Sequence, residues 1–109
     1  MDYTFSKSFN PGLKQWEITV TGEIDIFNSN DFKESLMSLI KETPTDLRID
    51  CCELKYIDST ALGSLVAVLK NVKGYGGEVY LAKVKPNLAK LFKITNLDKV
   101  FIIEGVANE

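Results

Sequence analysis

The beginning of the chain alternates between apolar and polar residues in the pattern of β-strands. This alternation covers residues 2–8 and 15–21, and the sequence Asn10-Pro11-Gly12 between them is a strong turn signal. One face of the second segment carries Trp16, Ile18 and Val20. The pattern therefore predicts that the chain begins with a β-hairpin.

The next segment has the three- and four-residue spacing of an amphipathic helix. It follows Gly22-Glu23-Ile24-Asp25, where the alternation breaks, and Asn28 or Ser29 is its predicted N-cap. Thr43-Pro44-Thr45 ends it, because proline cannot continue a helix. The apolar stripe of this helix consists of Phe32, Leu36, Leu39 and Ile40.

Two further segments have helical spacing. The second helix begins at Ser59 or Thr60 and ends before Gly74, while the third begins at Pro86. Their apolar positions are Ala61, Leu62, Leu65, Val66, Val68 and Leu69 in the second helix, and Leu88, Leu91 and Phe92 in the third.

Short apolar segments between the helices predict the remaining strands. They cover residues 46–52, the residues that run into Ile57, residues 78–82 and residues 100–103. Strands that alternate with helices in this order form parallel pairs, with the helices packed on the sheet. The predicted fold is a single α/β domain over residues 1–109, with a mixed β-sheet of about four to five strands and helices packed against it.

The composition excludes several classes of protein. Thirteen basic and fifteen acidic residues give a formal charge of −2, and Arg48 is the only arginine, so nucleic-acid binding is disfavoured. The N-terminus lacks the pattern of a signal peptide, and no apolar stretch approaches the ~18 residues of a membrane span. We therefore expect a cytoplasmic protein that binds neither nucleic acid nor a membrane.

Residue types that usually carry enzyme chemistry are few. The chain has no histidine, which removes the commonest general base and metal ligand. Cys51 and Cys52 are adjacent and lack partners at metal-ligand spacing, so we interpret them as thiols at a strand end. Glu23 and Asp25 could act as acid and base, but a solvated turn explains them more simply. We predict no metal site and no catalytic set.

The segment from Tyr56 to Gly63 carries the main chemical signal, because an apolar stretch ends there in hydroxyl groups at the start of the second helix. A phosphate on Ser59 would lie beside free backbone N–H groups and the positive end of the helix dipole. Ser59 as an N-cap and nothing more is the alternative interpretation. A nucleophilic serine would need an adjacent base and a glycine-flanked elbow, which the sequence lacks.

The sequence Asp58-Ser59-Thr60-Ala61-Leu62-Gly63 resembles the Asp-Ser-Ser/Thr-Gly-Leu-Gly signature of STAS domains, the anti-sigma factor antagonist family. Other segments occur where that family has them, and the resemblance covers essentially the whole chain. These segments are Gly22-Glu23-Ile24-Asp25, Gly76-Gly77-Glu78, residues 91–97 beginning with Leu91-Phe92, and Val100-Phe101. The resemblance implies a STAS-like fold and a regulator without enzyme activity.

Partner switching is the function that this resemblance implies. The unphosphorylated antagonist would bind an anti-sigma factor that is also a serine protein kinase, and so release the sigma factor. The kinase would then phosphorylate Ser59, with Thr60 as a minor acceptor, and a serine phosphatase would reverse the modification. Because the kinase would hold ATP and magnesium, the resemblance implies no cofactor site in this chain.

The resemblance also implies a partner-binding surface around Ser59. Its predicted members are Glu23, Asp25, Asp58, Ser59, Thr60 and Ala61. Asp58 would orient Ser59 or contact the partner, unless it is only a second capping residue. Ala61 replaces the usual glycine of the signature, and its methyl group would limit the backbone and could alter recognition by the kinase.

Three other functions are alternatives to this interpretation. A STAS subunit of another assembly, such as a lipid-transport or stress-signalling complex, would bind partners without a phosphorylation cycle. A small hydrolase would use Ser59 with Asp58 or Glu23, and would need neither a partner nor a kinase. A dimerisation module would self-associate regardless of Ser59, whereas we expect a monomer.

Overall fold

A six-stranded mixed sheet and three α-helices make up the part of the chain that the computed structural model describes, residues 3–106. The strands are β1 (Tyr3–Asn10), β2 (Gln15–Ile24), β3 (Asp46–Asp50), β4 (Leu54–Ile57), β5 (Val79–Val84) and β6 (Ile102–Val106). The helices are α1 (Ser29–Glu42), α2 (Ser59–Gly74) and α3 (Pro86–Ile94), and a short 3-10 helix covers Leu97–Lys99.

The sheet has the order β1-β2-β3-β5-β6, with β4 paired to β2 outside this path. The β1–β2 hairpin is antiparallel, and every other pair is parallel. These pairings confirm the predicted α/β class and its mixed sheet. The sheet has six strands rather than four to five because the short β4 also joins it.

β2 is long enough to pair with two parallel strands in succession. Residues 15–19 pair with β3, and residues 22–24 pair with β4 after a register shift next to Gly22. Gly22 has a φ of 91°, a left-handed angle that glycine adopts without strain. The prediction that β2 ends at residue 21 is therefore wrong, because the strand continues through this irregularity. The carboxyl ends of β2 and β4 consequently lie side by side, with Ile24 opposite Ile57.

The helices pack on one face of the sheet and bury the predicted stripes. In the sheet, Trp16, Ile18 and Val20 face the core together, as predicted. The buried helical residues include Phe32, Leu36, Leu39, Ile40, Ala61, Leu65, Val68, Leu69, Leu88 and Phe92. Leu62, Val66 and Leu91 are only half-buried and pack at the edge of this core. Within residues 3–106, no helix combines the length and the apolar character needed to cross a membrane.

The last strand begins two residues later than predicted, because the prediction placed it at residues 100–103 and β6 begins at Ile102. Val100 N and Phe101 N both donate hydrogen bonds to Leu97 O, at 3.1 and 2.9 Å, and so close the turn that follows the 3-10 helix. Phe101 is buried in the core, although it precedes the strand. The apolar pattern that predicted a strand from residue 100 therefore belongs in part to this turn, where Phe101 is buried. The strand β6 starts only at Ile102.

Candidate functional site

The first turn of α2 holds the serine and its neighbours. Asp58 is the N-cap, with an extended backbone, and its Oδ1 atom accepts a hydrogen bond of 2.8 Å from Ala61 N. Ser59 and Thr60 occupy the first two helical positions and are exposed. Because Asp58 is the cap, the interpretation of Ser59 as the N-cap is wrong, and the Ser59 hydroxyl is free of that role.

The start of α2 also presents unused hydrogen-bond donors. Leu62 N donates to Asp58 O at 2.9 Å, and Ala61 N donates to the Asp58 carboxylate. Among the described residues, the N–H groups of Ser59 and Thr60 have no protein acceptor. Free N–H groups and the helix dipole both favour a negative charge at this end of a helix. A phosphate on Ser59 would therefore not cost the helix an existing hydrogen bond.

The second carboxylate oxygen of Asp58 connects α2 to the loop that follows β2. Asp58 Oδ2 accepts a hydrogen bond of 2.9 Å from Ile26 N, and Asp58 N donates to Ile24 O at 3.2 Å. These contacts form because β4 runs parallel to β2, so that Asp58, directly after β4, lies beside the end of β2. Of the roles considered for Asp58, capping is the one that its hydrogen bonds support, together with this link between two loops.

The loop between β2 and α1 is braced by its own polar side chains. Asp25 Oδ1 accepts a hydrogen bond of 2.9 Å from Phe27 N. Asn28 Oδ1 accepts from Asp25 N at 2.9 Å, and Asn28 Nδ2 donates to Glu23 O at 2.9 Å. Asn28 occupies the N-cap position of α1, as predicted, but its side chain makes no capping hydrogen bond because these two contacts occupy it.

Two residues of the predicted partner surface are buried. Asp25 exposes 7% of its surface because its carboxylate holds the loop, and Ala61 exposes 1% because it packs into the core beneath α2. Their side chains therefore present little surface to a partner and have a structural role in this fold, and their assignment as contact residues stays a prediction. Glu23 is half-buried and Ser59 and Thr60 are exposed, so their contact roles remain predictions.

Two large apolar residues that the sequence reasoning missed lie in the loop that is hydrogen-bonded to Asp58. Ile26 is 64% exposed and Phe27 is 90% exposed. Tyr56 on β4, which pairs with Glu23, is also exposed. The available signal was the Ile26-Phe27 pair directly after a strand end, where small or polar turn residues are more usual. The surface around Ser59 is thus partly apolar.

The potential metal ligands, thiols and bases in residues 3–106 are dispersed, buried or already hydrogen-bonded. In residues 3–106, no three His, Cys, Asp or Glu side chains are grouped so that they could hold a metal ion. Burial raises the pKa of the Cys51 thiol from its ordinary 9.0 to about 12, so this thiol stays protonated and is a poor nucleophile. Both oxygens of Asp58 accept backbone hydrogen bonds, which leaves this carboxylate poorly placed to act as a base for Ser59.

Comparison with known proteins gives a consistent result. The family model described as the STAS domain matches residues 9–108. The anti-sigma-B factor antagonist of Bacillus subtilis is 37% identical over 102 residues, which cover 90% of this chain and 93% of that protein.

Solved structures have the same fold. An anti-sigma factor antagonist from Mycobacterium paratuberculosis superposes with a TM-score of 0.83 at 21% identity, covering 96% of this chain and 87% of that one. The Bacillus cell fate determinant SpoIIAA in its phosphorylated form superposes with a TM-score of 0.72 at 16% identity, covering 94% and 92%. Since the family model spans almost the whole chain and a relative matches over nearly its full length, this chain belongs to the STAS domain family.

Proposed function

We propose that this protein is an anti-sigma factor antagonist that works by partner switching. In its unphosphorylated form it binds an anti-sigma factor that is also a serine kinase, and this binding releases the sigma factor. Phosphorylation of Ser59 ends the interaction, and a serine phosphatase restores it. The name of the Bacillus subtilis relative supports the antagonist role, and a regulator of a sigma factor would act in the cytoplasm.

The position of Ser59 is the observation that carries this proposal. The side chain is exposed at the first position of α2, while the neighbouring Asp58 provides the cap. A kinase can therefore reach the hydroxyl without unfolding the helix. The unused N–H groups of Ser59 and Thr60 would then stabilise the added charge within the protein.

Phosphorylation would oppose binding through charge. A phosphate adds roughly −1.5 to −2 charge, directly beside Asp58 and on a surface that a partner has matched to a neutral hydroxyl. Burying that charge without a new cation costs free energy at the interface. A change of ~2.7 kcal/mol would weaken binding about a hundredfold, which is sufficient for a switch.

Mass spectrometry of the purified protein with its kinase tests the proposal. The wild type, Ser59→Ala and Thr60→Ala would each be incubated with the anti-sigma factor kinase encoded in the same genome and with magnesium and ATP. We expect the wild type and Thr60→Ala to gain one phosphoryl group and Ser59→Ala to gain none. Size-exclusion chromatography should then show that the phosphorylated protein no longer co-elutes with the kinase.

An unmodified wild type would refute the phosphoswitch. If the unmodified protein still bound a partner, it would instead support a STAS subunit of an assembly without a phosphorylation cycle. Modification of Ser59→Ala but not of Thr60→Ala would move the acceptor to the neighbouring hydroxyl.

A further inference from the structure

The loop between β2 and α1 presents two apolar side chains to solvent. We call Ile26 and Phe27 the apolar tip of this loop. Phe27 is 90% exposed, and Ile26 beside it is 64% exposed. Burying an apolar side chain of this size at an interface favours binding. The tip could therefore stabilise a complex in which a partner buries these side chains, which the isolated domain leaves in solvent.

The backbone that carries the apolar tip is nevertheless fixed. Four consecutive N–H groups donate hydrogen bonds: Asp25 N to Asn28 Oδ1, Ile26 N to Asp58 Oδ2 and Phe27 N to Asp25 Oδ1, each at 2.9 Å, and Asn28 N to Asp25 O at 3.2 Å. A loop held in this way loses little conformational entropy when a partner covers it. Rigid backbone under exposed apolar side chains is the arrangement expected of a binding anchor.

Asp58 links the apolar tip to the phosphoacceptor. One carboxylate oxygen caps α2 directly before Ser59, and the other holds Ile26 N. Since Ile26 N is bonded to the residue that precedes Ser59, a protein face that covers the Ser59 hydroxyl would lie close to the apolar tip. Half-buried Glu23, which precedes the tip, adds an acidic neighbour.

We propose that the apolar tip, with Phe27 at its centre, is the main anchor for the kinase that modifies Ser59, and that Phe27 inserts into an apolar pocket on that kinase. The inference rests on the proposed function, because it takes the same partner as the occupant. The border of the pocket should carry positive charge opposite Glu23. The tip supplies affinity, whereas Ser59 supplies only the chemical acceptor.

Steady-state phosphorylation and direct binding separate these two contributions. Phe27→Ala and Ile26→Ala would be compared with Leu13→Ala, a control residue with 65% exposure in the β1–β2 hairpin. We expect Phe27→Ala to raise Kd and KM for the purified anti-sigma factor kinase by at least about tenfold, with kcat nearly unchanged. Ile26→Ala should have a smaller effect and Leu13→Ala none, while Phe27→Leu should recover part of the affinity.

The outcomes distinguish this inference from the proposed function. If the kinase neither binds nor modifies the wild type, the proposed function fails. If it binds and modifies wild type and Phe27→Ala equally, the anchor alone is refuted. If sedimentation shows that the wild type self-associates and Phe27→Ala does not, the tip is a contact between two copies, which also overturns the inference. Urea unfolding should show equal stability of Phe27→Ala and wild type, since the side chain is almost fully exposed.

Discussion

Asp58 uses both carboxylate oxygens and both of its backbone polar groups in hydrogen bonds. Its two carboxylate oxygens accept from Ala61 N and Ile26 N, and its backbone joins Ile24 and Leu62. These bonds hold the serine and the apolar tip in one arrangement. A carboxylate beside a proposed phosphoacceptor is easily interpreted as a contact for the partner, yet the hydrogen bonds of Asp58 show that it positions other groups.

Replacing Asp58 should therefore affect both stability and the loop. We expect Asp58→Ala to lower the free energy of unfolding by ~1–2 kcal/mol, because it removes the cap and leaves Ile26 N without its acceptor. Asp58→Asn keeps one accepting oxygen and should lose less. Urea unfolding measures the stability, and hydrogen exchange of the Ile26 amide measures the second bond.

The matched control is Glu34→Ala, which removes an exposed carboxylate from α1. It should change stability by no more than ~0.5 kcal/mol. If Asp58→Ala exchanges the Ile26 amide as slowly as the wild type does, the link between the two loops is incorrect.

At the scale of the element, α2 combines a functional first turn with a buried helix. Gly63 lies in its second turn and is exposed, and a Cβ added there would meet no atom within 4 Å. Glycine in a helix is less stable than alanine because it loses more backbone entropy on folding. Nothing in the fold therefore requires glycine at this position of the signature.

Gly63→Ala should accordingly raise the free energy of unfolding by ~0.5–1 kcal/mol. The contrasting variant is Gly77→Ala, after the end of α2, where a Cβ would lie 2.9 Å from both Tyr75 Cε1 and Val72 Cγ1. Since these atoms must shift, Gly77→Ala should destabilise the domain. Thermal unfolding should show a stability change of opposite sign in the two variants. A loss of stability in Gly63→Ala would contradict the open space found around its Cβ position.

The sequence predicted the elements well wherever the signal was local. The apolar stripes of α1 and α2 were confirmed, as was the start of α3 at Pro86. Features that depend on contacts between residues far apart in the sequence were harder to predict. The continuation of β2 depends on its contact with β4, and the burial of Ala61 depends on the packing of α2 against the sheet.

In the site, too, local features could be predicted and contacts between distant residues could not. The location of Ser59 at the start of α2 could be predicted, because a hydroxyl cluster before a helical pattern is a local signal. The link from Asp58 to Ile26 spans 32 residues of sequence and required the parallel pairing of β2 with β4. The exposure of Phe27 could not be predicted from its apolar character, which would ordinarily place it in the core.

At the scale of the whole molecule, the surface around Ser59, where we propose the switch to act, is separate from the core. Ser59, Thr60, Ile26 and Phe27 are all exposed, whereas Ala61 and Asp25 directly beside them in sequence are buried. A phosphate can therefore change what the surface binds while the packing beneath it stays the same. This separation suits a protein that must remain folded in both of its states.

The free energy of unfolding should decrease at alkaline pH because the buried thiol of Cys51 ionises more easily in the unfolded chain. The thiol is buried beside a cavity of about 20 Å³, and desolvation, with a smaller effect of Asp50, raises its pKa from 9.0 to about 12. A raised pKa in the folded state means that the stabilisation is complete below pH 9 and is lost as the pH rises toward 12.

Urea unfolding of the wild type and Cys51→Val between pH 7 and pH 10 tests this effect. The comparison is needed because the pKa values of Tyr3 and Tyr75 are raised from 10.0 to about 12 and that of Tyr80 is also raised, so these phenols lower the stability of both proteins as the pH approaches 10. The free energy of unfolding of the wild type should be level to about pH 8 and then fall, and the part of the slope that Cys51 contributes should approach ~1.4 kcal/mol per pH unit near pH 10. In Cys51→Val the side chain cannot ionise and the cavity accepts the extra methyl group, so the fall between pH 9 and 10 should be smaller than in the wild type and leave only the contribution of the tyrosines. A wild type and a Cys51→Val variant that lose stability in parallel over that interval would show that the buried thiol is not the group responsible.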